Sequence, residues 1–175
     1  NSSWNFAMNM LDSVGIAGQT LVATALGAGS VSRARQLTRA TGRAGLVTGA
    51  IIGVAFAIVG LFAGHLFSPT PHVQILIAVG MVTMGVFFPL QGWMMAIDGI
   101  LIGARDYRYL AGTCTLTAVV YIALILVLAS IVTPIMPNDL SRTAMLWAAF
   151  NVVLMGGRGL FNDAHRSEER RVGKE

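Results

Sequence analysis

Two carboxylates stand where an apolar chain does not ordinarily keep charge. Asp12 lies inside WNFAMNMLDSVGIAGQTLVATALGAG and Asp98 inside QGWMMAIDGILIGARDYRYL, each flanked by residues suited to hydrocarbon. An ionised Asp near the centre of a membrane helix costs about 2.5–3.5 kcal/mol on insertion scales, so it normally faces protein or water and marks an ion or substrate path. Counted from Trp4, Asp12 is roughly 12 Å along a helix axis, and Gln19, seven residues on, falls on the same face, which predicts a polar stripe. The chemistry open to such a group is exchange, a proton and a cationic cargo competing for one site. Asp98 is shallower, about 7 Å inside the boundary, and Arg105 at i+7 can snorkel toward it, so a structural ion pair stands beside a gating role. Gln91 and Gly92 follow Pro89 within a turn, where a freed carbonyl and a polar side chain can line a cavity, although a plain packing kink explains Pro89 equally well. Asn151 carries the same ambiguity, and Met94 and Met95 beside Trp93 are a soft surface better suited to filling core gaps.

The elements that must position these groups are membrane helices. Residues of hydrophobic type make up 55% of the chain and charged residues 11%, with a mean hydropathy of +0.69, values outside the soluble globular range. The positive charges lie in short loops and not on a continuous basic face, which excludes a nucleic-acid reading despite a pI near 10.0. The single Cys, Cys114, excludes a disulfide framework, and His65 and His72 alone are poor evidence for a metal site. No nucleophile triad, HExxH helix, phosphate-binding glycine loop or dinucleotide fingerprint occurs, so no enzyme is expected.

With roughly 20 apolar residues needed per crossing, five spans are expected, at about 4–28, 44–67, 74–103, 110–133 and 142–161. The fold class is therefore all-α, a polytopic membrane helical bundle. Arg33, Arg35, Arg39 and Arg43 fill the first connector and Arg105 and Arg108 the third, while the second carries none. By the positive-inside rule those two loops face the cytoplasm, with the start of the chain outside and its end inside. Arg35, Arg39 and Arg43 share one face of what reads as a short amphipathic connector suited to anionic headgroups. Gly45, Gly49, Gly53, Gly60 and Gly64 mark one face of the second span for close helix contact. Residues 166–175 break the pattern: every Glu of the chain and its only Lys fall within RSEERRVGKE. That string resembles a translated sequencing-library adapter and is expected to be an artefactual tail on a fragment open at both ends.

AGQTLVATALGAGSVSRAR and FPLQGWMMAIDGILIGARDYRYL together resemble the carboxyl-terminal half of a multidrug and toxic compound extrusion (MATE) transporter of the DinF-like branch. The resemblance covers residues 1–165. It implies twelve spans in two six-helix lobes, of which this chain holds the eighth to twelfth, the amino-terminal lobe being a missing partner. It further implies multidrug efflux of cationic or amphipathic compounds from the bacterial inner membrane by alternating access, in exchange for H+ or, less favoured, Na+, since no acid occupies the Pro89 to Gly92 region. Asp12 and Gln19 match polar positions of the family's eighth span, and Gln91 and Asp98 those of its tenth. Two other readings stand beside it: a non-transporting membrane scaffold or inert truncated product, and a lipid-linked-sugar flippase, which calls for a basic cavity that spans without a deep arginine do not supply.

Overall fold

The computed structural model describes residues 2–172 except 63, 133 and 137, with side chains for 4–165 apart from those positions. Every regular element among the described residues is helical. They are α1 (Ser2–Gly27), α2 (Val31–Phe62), a 3-10 turn (Gly64–Leu66), α3 (Pro71–Gly103), α4 (Tyr107–Val127), a π turn (Leu128–Val132), α5 (Asp139–Ala149), a second π turn (Phe150–Gly156) and α6 (Gly157–Val172). The second π turn joins α5 and α6 into one rod. Four helices are long and apolar enough to cross a membrane: Val31–Phe62, Pro71–Gly103, Tyr107–Val132 and Asp139–His165. The first expected span is formed as a 26-residue helix but is not among the four, because Asn5, Asn9, Asp12, Ser13 and Gln19 dilute its apolar content.

α3 is the hub. It packs against every other helix, whereas α1 packs along α2 and α3 and reaches the second π turn through the Trp4 ring, and α4 packs toward α5 and α6 on the opposite side. Its 33 residues extend about 50 Å. The glycine face of α2 makes the closest contact: a Cβ at Gly45 would meet the Gly92 carbonyl, and one at Gly49 would lie 2.8 Å from Pro89 Cα. The two backbones therefore touch directly, as hydrocarbon requires when apolar surface alone offers no drive to associate. α1 uses the same device on the next face of α3, Gly15 lying against Met95 and Gly99 against Gly15. Leu11, Ala7, Phe56, Met84 and Phe88 fill the spaces between these lines as a buried cluster.

One local expectation changes. The arginine segment 31–43 is not a separate connector but the opening turns of α2, continuous with the span because Thr38, Thr41 and Gly42 are buried against the neighbouring helices. As the single span over 74–103 requires, α3 continues through Pro89, running from Pro71 to Gly103. A proline ring removes the N–H that would bond the carbonyl four residues back, and Gly53 lies against that carbonyl, Gly85 O, at a distance only a glycine permits.

α1 and α3 end alike. Ser30 N–H donates to Ala25 O (3.0 Å) and Gly29 N–H to Leu26 O (2.9 Å); Asp106 N–H donates to Leu101 O (3.0 Å) and Arg105 N–H to Ile102 O (3.0 Å). Both are Schellman caps, with a left-handed residue at the turn. Gly29 takes it at φ 70°, while at the end of α3 a non-glycine residue, Arg105, is held at φ 63°.

Substituting Gly49 by Val forces the α2 and α3 backbones apart and is expected to cost about 1–3 kcal/mol. Gly112→Ala, where a Cβ meets open space, is expected to leave stability unchanged or slightly raised. Unfolding of the detergent-solubilised chain, followed by tryptophan fluorescence, compares the two. Equal responses would remove the backbone contact from its central place.

Candidate functional site

Apart from Thr38 and Thr41 of α2, the polar side chains buried among the described residues gather on one seam, between α3 and the α5–α6 rod, with α4 behind. Its lower half is built on Asp98, 4% exposed, where α3 passes α6. Arg158 of α6 pairs its guanidinium Nη2 with Asp98 Oδ2. One turn further, Asn162 Nδ2 donates to Asp98 Oδ1 at 2.7 Å, and Thr113 Oγ1 of α4 donates to Asn162 Oδ1 at 2.8 Å. Three helices thus meet at one carboxylate, and each partner fixes the next: the threonine hydroxyl orients the amide, and the amide and guanidinium hold the acid. Asn162 itself is fully buried.

The upper half joins Gln91 of α3 to Asn151 in the second π turn. Gln91 Nε2 donates to Asn151 Oδ1, and Asn151 Nδ2 donates to Trp147 O at 2.7 Å. Both side chains are fully buried, and Gln91 Oε1 is left without a partner. Gln91 therefore does not line an open cavity as the sequence suggested; it is locked across the seam. Beyond the seam, His165 Nε2 lies 2.7 Å from Asp106 Oδ2 and its ring stacks on Tyr109 at 3.6 Å, closing the bundle end between α6 and the start of α4.

Two expected relations are corrected. The partner of Asp98 is Arg158, not Arg105: the Schellman cap turns the chain away at Ala104, and Arg105 is exposed. The spans also do hold an inward-reaching arginine, since Arg158, within the last expected span, has a side chain only 27% exposed. Arg158 and Asn162 could have been found by asking which residues one turn apart on the last helix can reach Asp98, but their place after the π turn hides the register. His72 also has an acidic neighbour, its Nε2 lying 3.6 Å from Asp139 Oδ2.

Asp12 and Gln19 do not join this network. Asp12 is exposed on α1 and Gln19 half-buried, with Asn5, Asn9, Ser13 and Thr20 exposed near the same helix face. Asp12 has no ion pair or hydrogen bond among the described residues, whereas the hydroxyls of Ser13 and Thr20 bond their own backbone at Met10 O and Ile16 O. Near the Trp4 end of α1, Trp4, Phe56, Met81, Met84 and Trp147 line a cavity of about 350 Å³. Trp4 and Trp147 also wall a neighbouring space of about 400 Å³ with Tyr121 and Phe150. Ring centroids of Trp4, Tyr121 and Trp147 stand 5.8–6.0 Å from Phe150, edge to face. The Trp4 indole N–H is buried without a partner.

Breaking the Asp98–Arg158 pair from either side leaves a buried charge. Asp98→Asn and Arg158→Met are each expected to destabilise the chain by about 3–5 kcal/mol, and the double variant by much less than the sum. A double-mutant cycle on unfolding in detergent measures this. Additivity would show that the two groups do not stabilise one another.

No solved structure matches the chain. Protein DETOXIFICATION 42 of Arabidopsis thaliana is 27% identical over 127 residues, 73% of this chain and 25% of the relative, so the chain spans about a quarter of that protein's length. The MatE family model matches residues 1–127, the stretch that holds α1, α2, α3 and α4. The chain belongs to the MatE family, the multidrug and toxic compound extrusion proteins.

Proposed function

We propose that this chain is part of a proton-coupled multidrug efflux antiporter, in which Asp12 is the exchanging carboxylate and the Asp98 network is a structural latch. One observation carries the division of roles. Asp98 has its oxygens engaged by Arg158 and Asn162, while Asp12 stands exposed and unpaired on a helix whose other face is packed into the bundle. An exposed carboxylate among Asn5, Asn9 and Ser13 is costly against lipid and favourable against a water-filled path. The polar face of α1 is then a wall of that path, and the residues completing it belong to the amino-terminal lobe that a full-length transporter supplies.

Cargo selection follows from what lies along α1. The aromatic and methionine-lined space around Trp4 and Trp147 suits the flat apolar body of a drug-like compound. Asp12, about 12 Å further along the helix, suits a positive charge. Amphipathic organic cations have both parts. Proton in place of sodium is favoured because Pro89, Leu90, Gln91 and Gly92 offer no acid. The lipid-linked-sugar flippase gains nothing from Arg158, whose charge is matched by Asp98. In a bacterial inner membrane the arginine-rich end, with Arg33, Arg35, Arg39, Arg43, Arg105 and Arg108, faces the cytoplasm by the positive-inside rule.

In the full-length transporter carrying this sequence, Asp12→Asn is expected to reduce efflux of an organic cation driven by a pH gradient about tenfold or more, at unchanged expression, with Asp12→Glu retaining most of it. Dye efflux from everted vesicles reads this out. Unchanged pH-dependent efflux in the Asn variant overturns the assignment. The present chain reconstituted alone is expected to move no cargo, and robust uptake by it into liposomes contradicts a shared path.

A further inference from the structure

We propose that Arg39, Arg43, Arg105 and Arg108 form a belt that binds the phosphates of anionic phospholipids, and that Arg33 and Arg35 do not belong to it. The inference rests on the heights of the helix ends and is independent of what the protein transports. A Cβ at Gly18 of α1 would lie 3.2 Å from Thr41 Cβ of α2, and one at Gly103 of α3 lies 3.2 Å from Gln19 Cα. Thr41, Gly18, Gln19 and Gly103 are therefore level. Arg39 and Arg43 flank Thr41 by two residues, about 3 Å along the axis on either side. Arg105 follows Gly103 by two residues, and Arg108 sits in the first turn of α4.

That level is the edge of the hydrocarbon. Residues 44–62 of α2 carry no charge and extend about 28 Å, close to the roughly 30 Å of a bilayer core. Arg43 thus stands at the boundary and Arg39 about 6 Å outside it, within the headgroup layer. Beyond the belt, α1 runs on from Gln19 to Gly27 and α2 returns from Val31, a helical hairpin sealed by Val22, Ala25, Ala34 and Thr38. It projects about 12 Å past the end of α3. Arg33 and Arg35 stand on this projection, about 9–12 Å above Thr41 and 6–9 Å beyond Arg39, about one Debye length from the headgroup layer, so salt at physiological strength weakens their attraction to phosphate relative to that of the belt.

The charge at the belt is available. Arg39, Arg43, Arg105 and Arg108 are exposed and have no carboxylate partner among the described residues, while Asp106 is held by His165 and Asp98 by Arg158. Arg105 adds an independent sign. It occupies the left-handed position of the α3 cap at φ 63°, where the equivalent residue ending α1 is Gly29. A side chain kept at a strained backbone position that glycine would relieve points to a role for that side chain. Guanidinium groups meet phosphate oxygens in pairs of parallel hydrogen bonds, and each basic residue near an anionic surface changes partitioning roughly fivefold.

The test uses the whole chain purified in nanodiscs of phosphatidylcholine with or without phosphatidylglycerol, anionic lipid retained on transfer to detergent being counted by native mass spectrometry. The quadruple Arg→Gln variant at 39, 43, 105 and 108 is expected to retain at least about tenfold less phosphatidylglycerol, and the Arg33→Gln/Arg35→Gln variant to retain as much as the parent. Arg105→Gly separates a lipid role from a structural one: it is expected to raise the unfolding temperature in pure phosphatidylcholine and yet lower lipid retention several-fold. The belt is overturned if the two glutamine variants lose lipid equally. It is also overturned if Arg105→Gly leaves retention intact, or if inorganic phosphate displaces the lipid at equal concentration, which would identify a free-anion site.

Discussion

Hydrocarbon offers no hydrogen bonds, and the arrangement of this bundle follows from that. A polar group carried into it has to be satisfied by the protein or left facing water. The chain uses both solutions at nearly the same depth. On the α3–α6 seam, Asp98, Arg158, Asn162 and Thr113 satisfy one another across three helices. Beside the α1–α3 contact, Asp12 is left exposed. The contrast between a closed polar cluster and an open one supports the proposed division between a residue that holds helices together and one that exchanges what it binds.

Closure of the seam depends on how near the backbones come. Glycine contacts bring α2 and α1 directly onto α3, so α3 is fixed on two sides before its third side meets the α5–α6 rod. The fixed position of α3 is what allows a short Asp side chain to be reached from α6 and, through Asn162, from α4. The second π turn lies beside this meeting point and contains Asn151, the partner of Gln91. Single wide turns inside α-helices commonly occur at functional positions, and here one sits between the two polar contacts of the seam.

Much of this was legible in the sequence, and the rest was hidden for identifiable reasons. The glycine repeat from Gly45 to Gly53 announced a close helix contact, and uninterrupted apolar runs announced the long helices. Thr115 and Thr117 bond their own helix as their type suggests, donating to Ala111 O and Thr113 O. The partner of Asp98 was misread because only same-helix spacing can be counted along a chain: Arg105 is seven residues away, whereas Arg158 is brought near solely by tertiary packing. Gln91 was read as facing a cavity because a nearby proline suggests an open backbone, and the actual occupant of that space, Asn151, lies sixty residues on. The arginine connector was read as separate from the span because charge was taken to end a membrane helix, although a helix can continue beyond the bilayer when its other face stays packed.

The direct backbone contact of α2 with α3 has a mechanical corollary. Two helices whose main chains touch through Gly45, Gly49 and Gly53 cannot slide or rotate against each other without steric collision, so they form a single stiff plank. The contact of α3 with the α5–α6 rod is made by side chains able to change rotamer. Deformation of this bundle is thereby favoured along one shear plane, and the Asp98 cluster lies within it.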